Sequence, residues 1–506
     1  MWLSCMSDIV DEIHTKRAAG AGRYAVIDVG SNSIRLVIFE GLNRSLNVVF
    51  NEKISCGLGS ELTVTGRLST TGVSHAIRNL DRFSSLLVAM DVELVDAVAT
   101  AAVRDAVNGA MFVAQVQREV GIELRVLSGT DEAEYTALGV VASVGAAKGL
   151  MADLGGGSLE LAEVGEGNIG NTTTLPFGSL RFSAENQDEL QGELGQMAEK
   201  LNRLEWLGQH KGQDIYLVGG TWRSLARLHM AQTEYPLQVV HRYSLTYQST
   251  LEFLQLLSMQ SSDALASVSQ ISRRRLKLIP LSAQILAAIL DRAQPSRIIF
   301  VAGGLREGLA FDRLPPEEKT RDPLIAVCMD LADRASRFPG HGAELADWLA
   351  PIFPLETSEQ MRLRQAVCLL CDIAWSVHPG YRAEYALMES ALMQAPIDHF
   401  GRSFIGLATM TRYSRRRIPR FAREIQTLMD PEIIAQARAL GLAARVGETL
   451  SGGVPGILEK FSLTLDEKEV VLGCAQGDSA LMGHVVRERF KALAKHLKLK
   501  PRYDVK

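Results

Sequence analysis

Two short stretches of this sequence repeat one pattern 125 positions apart. "AVIDVGSNSIRL" (Ala25–Leu36) and "MADLGGGSLE" (Met151–Glu160) each set Asp-x-Gly-x-x-Ser between apolar runs, so that Asp28 answers Asp153 and Ser33 answers Ser158. One glycine turn after an apolar strand is an ordinary hairpin. Two in the same register predict two lobes of like construction. The flanking segments agree. "YAVIDVG", "IRLVIFEG" and "LNVVFNEKIS" read as three strands, followed by the amphipathic helix "STTGVSHAIRNLDRFSSLLVAM" and the strand "VELVDAVAT". A helix through "MFVAQVQREVG", a short strand "ELRVLS" and a helix from "GTDEAEYTALGVVASV" complete the set. The order then restarts with "GLMADLG", "LELAEVG" and "IGNTTTLP", and two strand, Gly-Gly, helix units follow in "QDIYLVGGTWRSLARL" and "SRIIFVAGGLREGLAF". The expected fold class is therefore α/β, with lobe I over residues 23–147 and lobe II over 148–314.

A proline-rich, charged break, "DRLPPEEKTRDP", marks the end of the second lobe, and nearly all that follows has helical periodicity. An all-α C-terminal domain over 315–506 is expected, with a Thr357-x-x-Gln360 capping box ahead of one of its helices. A chain of 506 residues has ample length for these three cores. The net charge of −4 argues against a protein-wide, specific nucleic-acid surface. No apolar run reaches the ~18–20 residues that span a bilayer. Residues 1–22 contain Asp8, Asp11 and Glu12 and read as a loose leader without a signal core, so a cytoplasmic protein is expected. The six cysteines are scattered. Cys368 and Cys371, the one close pair, read as buried thiols on a helix.

The chemistry of the two turns follows from their residue types. An Asp at the end of a buried strand is costly unless a cation or its bound water pairs with it, and hard carboxylate oxygens suit magnesium. Glycines remove side chains, letting backbone N–H groups approach phosphate oxygens. Ser33 and Ser158 add hydroxyl donors. Two such turns, face to face, would grip a phosphate chain between two metal-holding carboxylates. Arg104 is expected to open a helix after an apolar strand, where its guanidinium and the helix N-terminus bind one terminal phosphate together. "GTDEAEY" offers three acids at a helix start, Asp131, Glu132 and Glu134, among which the residues alone do not choose. "TRYSRRRIPRFAR" carries six arginines between Arg412 and Arg423 with no acid among them, a local field suited to a long phosphate polymer. Within it Arg415, Arg416 and Arg417 are the expected contacts.

The duplicated clamp resembles the actin-like ATPase superfamily, whose lobes are ribonuclease H-like. Four further segments narrow this: "VATAAVRDAVNG", "LSGTDEAEYTALGV", "LVGGTWRSLARL" and "VAGGLREGLAFD". With the two turns they resemble the exopolyphosphatase / guanosine pentaphosphate phosphatase (Ppx/GppA) family from Arg23 to about Leu314. The resemblance implies that Glu132 is the general base that activates water and that Arg104 binds phosphate beside it. It implies that Asp28, Asp153 and Glu160 hold Mg2+ or Mn2+, and that Asn32, Ser33, Gly155, Gly156, Gly157 and Ser158 contact phosphates. Gly219 and Gly220 would line the crevice. It also implies a homodimer and an HD-like C-terminal domain. Here the family's His-Asp pair is replaced by Cys371-Asp372 and a further histidine by Arg382, which speaks against a second metal-dependent activity. The expected function is removal of terminal phosphate from inorganic polyphosphate. The alternatives are 5′-phosphate hydrolysis of guanosine pentaphosphate (pppGpp), or a non-enzymatic sensor of polyphosphate or nucleotide. A kinase would need an acceptor pocket with a catalytic Asp, which the sequence does not reveal.

Overall fold

The structure, a computed structural model, describes residues 22–165, 167–179, 181–182, 187–259, 276, 278–414 and 418–506. The chain divides into two compact units, Met1–Tyr235 with Val240–Thr320, and Pro236–Val239 with Arg321–Lys506. Among the described residues no helix is long and apolar enough to cross a membrane.

The first unit contains both lobes. In the first, β1 (Arg23–Val29), β2 (Ser33–Phe39) and β3 (Val48–Ser55) form an antiparallel meander, because short polar turns connect apolar runs. The helix α1 (Thr70–Ala89) follows, burying Ala76, Leu80, Phe83 and Leu87 on one stripe. It leads to β4 (Val92–Ala99), the short α2 (Ala101–Asp105), α3 (Gly109–Val120), β5 (Arg125–Val126) and α4 (Gly129–Val144). The sheet order is β3-β2-β1-β4-β5, with β4 parallel to β1.

The second lobe repeats the plan. Its meander is β6 (Lys148–Leu154), β7 (Leu159–Gly165) and β8 (Asn168–Leu175). Then come α5 (Gln187–Asn202), β9 (Asp214–Val218), α6 (Gly220–Gln232), β10 (Tyr243–Thr246), α7 (Tyr247–Met259), α8 (Ile279–Ala293), β11 (Arg297–Phe300) and α9 (Leu305–Asp312). The order is β10-β11-β9-β6-β7-β8, with β9 parallel to both β6 and β11. These are two lobes of the actin-like ATPase kind. The edge strand β10 escapes a sequence reading because only four residues carry its alternation.

The two lobes exchange helices. The helix α4, which the division at residue 147 assigns to the first lobe, packs Ala137, Val140 and Val144 on the second sheet through Met151, Ala162 and Val218. Conversely, α9 packs Leu305, Leu309 and Ala310 on the first sheet, against Tyr24, Val26 and Val37. Arg313, just past α9, pins it there with a bidentate pair to Asp96 at 2.9 and 2.8 Å. The two helices cross backbone to backbone: a Cβ on Gly308 would stand 1.7 Å from the Tyr135 carbonyl oxygen. Only glycine permits that approach.

The second unit is helical over most of its length, from α10 (Pro323–Ala335) and α11 (His341–Leu349) through α12 (Ser358–Leu369). It continues with α13 (Arg382–Leu392), α14 (His399–Tyr413), α15 (Arg420–Gln426) and α16 (Pro431–Ser451). Thr357 and Gln360 form the expected capping box on α12. Cys368 and Cys371 are both buried, Cys368 in α12 and Cys371 in the 3-10 turn after it. The all-α expectation needs one addition. A sheet of β12 (Phe461–Leu465), β13 (Glu469–Cys474) and β14 (Lys500–Val505) encloses α17 (His484–Leu497) in sequence. "FSLTL" and "EVVLGC" flanking an Asp-Glu-Lys turn are hairpin signals, and the helical periodicity around them masked the change to strand.

Candidate functional site

The two glycine turns close in the same way. Gly30 N donates to Ser33 O at 3.0 Å, and Gly155 N donates to Ser158 O at 3.0 Å. Each is strapped from outside. Cys56 N and Gly57 N donate to Asn32 O, both at 3.0 Å, whereas Ser179 N donates to Gly155 O at 2.9 Å. The turns face each other closely: a Cβ on Gly157 would stand 2.8 Å from Ala101 Cβ and 3.3 Å from Ser31 Oγ. Asn32, Ser33 and Gly155 to Ser158 are thus brought to one gap between the lobes.

In the second turn Asp153 pairs across strands with Glu160. Glu160 is buried and accepts from Thr174 Oγ1 at 3.0 Å, and the Ser158 hydroxyl also donates to it. Burial pushes its carboxyl well above the ordinary range, and Glu132 and Asp153 add to the push. Burial also raises Asp153 to about 6, with Arg223 and Arg306 pulling back and Asp28 adding. Gly219, with φ of 109°, lies directly over this acid, since a Cβ there would stand 2.5 Å from Asp153 Oδ1. Gly220 opens α6, and a Cβ there would meet nothing within 4 Å among the described residues.

The first turn differs. Asp28 pairs across strands with Arg35 and accepts from Arg306 Nη1 at 2.7 Å. Burial pulls Arg306 down, but Glu307 and Asp28 outweigh it and the net shift is upward. Glu307 also caps α9, accepting from Gly304 N at 2.8 Å. Arg223, near the start of α6, is lowered to about 10 by burial and then by Arg306. Arg35 is lowered for the same two reasons. Sequence reasoning gave Arg306 and Arg223 no role of their own. Their position two or three residues after a Gly-Gly step, at the opening of a helix, was the available signal.

Between the turns lies Glu132, which feels both Asp153 and Asp28. The three acids of the helix start separate cleanly. Asp131 forms a capping box with Ser128, its Oδ2 accepting from Ser128 N at 2.9 Å, and Glu134 is exposed. Glu132 turns inward and accepts from Arg104 Nη1 at 3.0 Å. Burial raises its carboxyl to about 7 against the pull of Arg104. Arg104 requires a correction: it does not open a helix but is the fourth residue of the five-residue α2, with Ala106 already extended. Its guanidinium is held by Leu127 O at 3.2 Å and Asp105 Oδ1 at 3.3 Å as well as by Glu132.

Arg415, Arg416 and Arg417 lie outside the described residues. Arg412 does not belong to an exposed run, because it is buried and paired with Glu448 at 2.9 Å. In the same unit, Asp372 accepts from Arg337 Nε and Nη2 at 2.8 and 2.9 Å, and His341 is buried beside Ser451 at 3.1 Å. Among the described residues no three His, Cys, Asp or Glu side chains gather as a ready metal cage. Asp153 and Glu160 are brought together, whereas Asp28 is the counter-ion of Arg306.

Two α/β lobes with facing glycine turns and a half-buried acid beside them define the fold class. The comparisons narrow it. Residues 37–317 match the Ppx/GppA phosphatase family and residues 324–501 match the exopolyphosphatase C-terminal family. The chain belongs to the Ppx/GppA phosphatase family. It is 24% identical over 453 residues to retrograde regulation protein 2 of Saccharomyces cerevisiae, covering 80% of this chain and 74% of that protein. It is 26% identical over 310 residues to exopolyphosphatase 1 of Mycobacterium bovis, covering 58% of this chain and 89% of that one. Among solved structures, the Aquifex aeolicus PPX-GPPA enzyme is 29% identical with a TM-score of 0.50, covering 57% of this chain and 98% of that one. An exopolyphosphatase from Cytophaga hutchinsonii shares the fold, with a TM-score of 0.53 at 22% identity over 58% of this chain and 99% of that one.

Proposed function

We propose that this protein hydrolyses the terminal phosphate of inorganic polyphosphate. The observation that carries the reading is a carboxyl raised to about 7, Glu132, held by Arg104 and within electrostatic reach of the acids of both turns. A base with a pKa near the working pH combines a useful ionised fraction with proton affinity. In the proposed step, Glu132 accepts a proton from water as the water oxygen bonds to the terminal phosphorus. The bridging oxygen leaves with the shortened chain. The turn amides bind the phosphate oxygens. Arg35 and Arg306 near Asp28, and Arg223 near Asp153, add positive charge, favouring a chain of several phosphates.

Asp153 and Glu160 are two buried hard-oxygen donors short of positive charge, a set that fits Mg2+ or Mn2+. When bound, such an ion supplies charge neutralisation of the phosphate oxygens. Asp28 would join them only by sharing itself with Arg306.

The test is phosphate release from long-chain polyphosphate and from pppGpp, side by side with magnesium present. Faster release from polyphosphate is expected; preference for pppGpp would move the reading to the nucleotide. A sensing role is the second reading, favoured by the likeness over 80% of the chain to a relative named for regulation. Tight binding of both anions without release of phosphate would establish it.

A further inference from the structure

A second guanidinium stands at the mouth of the second turn, and the proposed hydrolysis leaves it unused. Arg181 follows β8 on a loop strapped to that turn by Ser179 N to Gly155 O at 2.9 Å and by Ser179 Oγ to the same oxygen at 3.1 Å. Its own N–H donates to Gly178 O at 2.9 Å. Gly178 in turn lies so close to the glycine turn that a Cβ there would stand 2.3 Å from Gly156 O. The loop therefore fixes where Arg181 emerges.

Its side chain then crosses to the first lobe, where Nη2 pairs with Asp105 Oδ2. The other Asp105 oxygen accepts from Arg104 Nε at 3.3 Å. One carboxylate thus holds two guanidiniums, one from each lobe, beside the same gap. Arg181 Nε is buried and has no hydrogen-bond partner among the described residues, and a Cβ on Gly157 would lie 3.9 Å from it. A buried charged N–H left unsatisfied is costly unless a ligand completes it. The atom sits against the glycines that are read as phosphate-binding. A phosphate oxygen seated in that turn would satisfy it.

We propose that Arg181 binds a substrate phosphate together with Arg104, and that Asp105 is the positioning residue that aims both. This rests on the polyphosphate reading of the same site. It assigns a cross-lobe grip: the phosphate in the second turn is held from the first lobe as well.

The test uses the full chain in a Glu132→Gln background, which slows turnover so that tripolyphosphate binding can be measured by calorimetry. Adding Arg181→Met is expected to weaken binding roughly 10–100-fold, the range for a lost hydrogen bond to a charged group. Arg181→Lys should recover part of the loss, because it restores charge without the planar fork. With Glu132 intact, Asp105→Asn should raise KM for tripolyphosphate several-fold with little change in kcat, since the donors remain but lose their aim. If the parent binds tripolyphosphate and Arg181→Met binds it equally, the inference fails, and a lowered melting temperature would mark the bridge as a clasp alone. Equal affinity of Arg181→Lys and its parent, with unchanged KM in Asp105→Asn, overturns it even if Arg181→Met does not fold. No binding by the parent overturns the polyphosphate reading, and this inference with it.

Discussion

The two glycine turns have the same hydrogen bond and different electrostatics. Seven residues after Asp28 the cross-strand partner is Arg35, and seven residues after Asp153 it is Glu160. In the first lobe the acid is ion-paired with Arg306 at 2.7 Å, beside Arg35. Asp153 has no ion pair among the described residues and feels Arg223 and Arg306 only through their charge. In the second lobe two buried carboxyls face each other, and both are pushed toward the neutral form. A duplicated backbone can thus be given two jobs by one residue at one register position. The first turn's acid is ion-paired, whereas the second turn keeps two carboxyls without an ion pair among the described residues, which under the proposed function is where a metal ion would sit beside the phosphates. Glu132 lies between them and feels both.

The largest effect should come from the group between the turns. Glu132→Gln is expected to lower turnover roughly 10²–10⁴-fold, the usual share of a general base. A raised carboxyl is protonated on the acid side, so wild-type kcat should fall as pH drops through about 7. A pH-rate profile checks this, and a wild-type rate in the variant would return the role to Asp131 or Glu134.

Next in size are the two carboxyls of the second turn. Manganese at about 100 times its Kd should stabilise the wild type by roughly 2.7 kcal/mol. Most of that gain should vanish in Glu160→Gln. Thr174→Val, which removes a hydroxyl from Glu160, should weaken manganese roughly 10–100-fold. Differential scanning calorimetry with and without the ion measures both. Equal stabilisation of all three proteins would erase the proposed difference between the turns.

At the first turn, Arg35→Met should raise KM for polyphosphate about tenfold, by loss of a charged contact, with less change in kcat. An unchanged KM would make Arg35 a counter-ion only. The smallest effect concerns chain length. Replacing Arg415, Arg416 and Arg417 with Ala should weaken long polyphosphate several-fold and leave tripolyphosphate unchanged. The dependence of long-chain affinity on salt should flatten, by about 0.7–0.9 in the log–log slope per lost contact. Equal losses for both lengths would tie these arginines to the site or the fold.

Part of this contrast is legible in local sequence pattern. Asp-x-Gly-x-x-Ser between apolar strands specifies a hairpin, and its recurrence specifies a second lobe, because turns and strand alternation are set by neighbours a few residues apart. The choice among Asp131, Glu132 and Glu134 is not legible there: the structure makes Asp131 the cap of Ser128 and turns Glu132 inward, which the run of acids by itself did not show. Nor is the placement of Arg104, because nothing local announces that α2 stops after five residues.

Other features were decided only by packing. Arg306 reaches Asp28 across 278 positions of sequence, and it does so because α9 leaves its own lobe and buries Leu305 and Leu309 on the other sheet. Arg412, one of six arginines in a stretch that looks solvent-facing, turns inward to Glu448. By itself the sequence determined the two turns, their strands and the acid-bearing helix, all products of short-range hydrogen bonding and periodicity. Which charges meet across the gap was decided by tertiary structure, because partners for buried charges come from segments that only the folded core brings within a few ångströms.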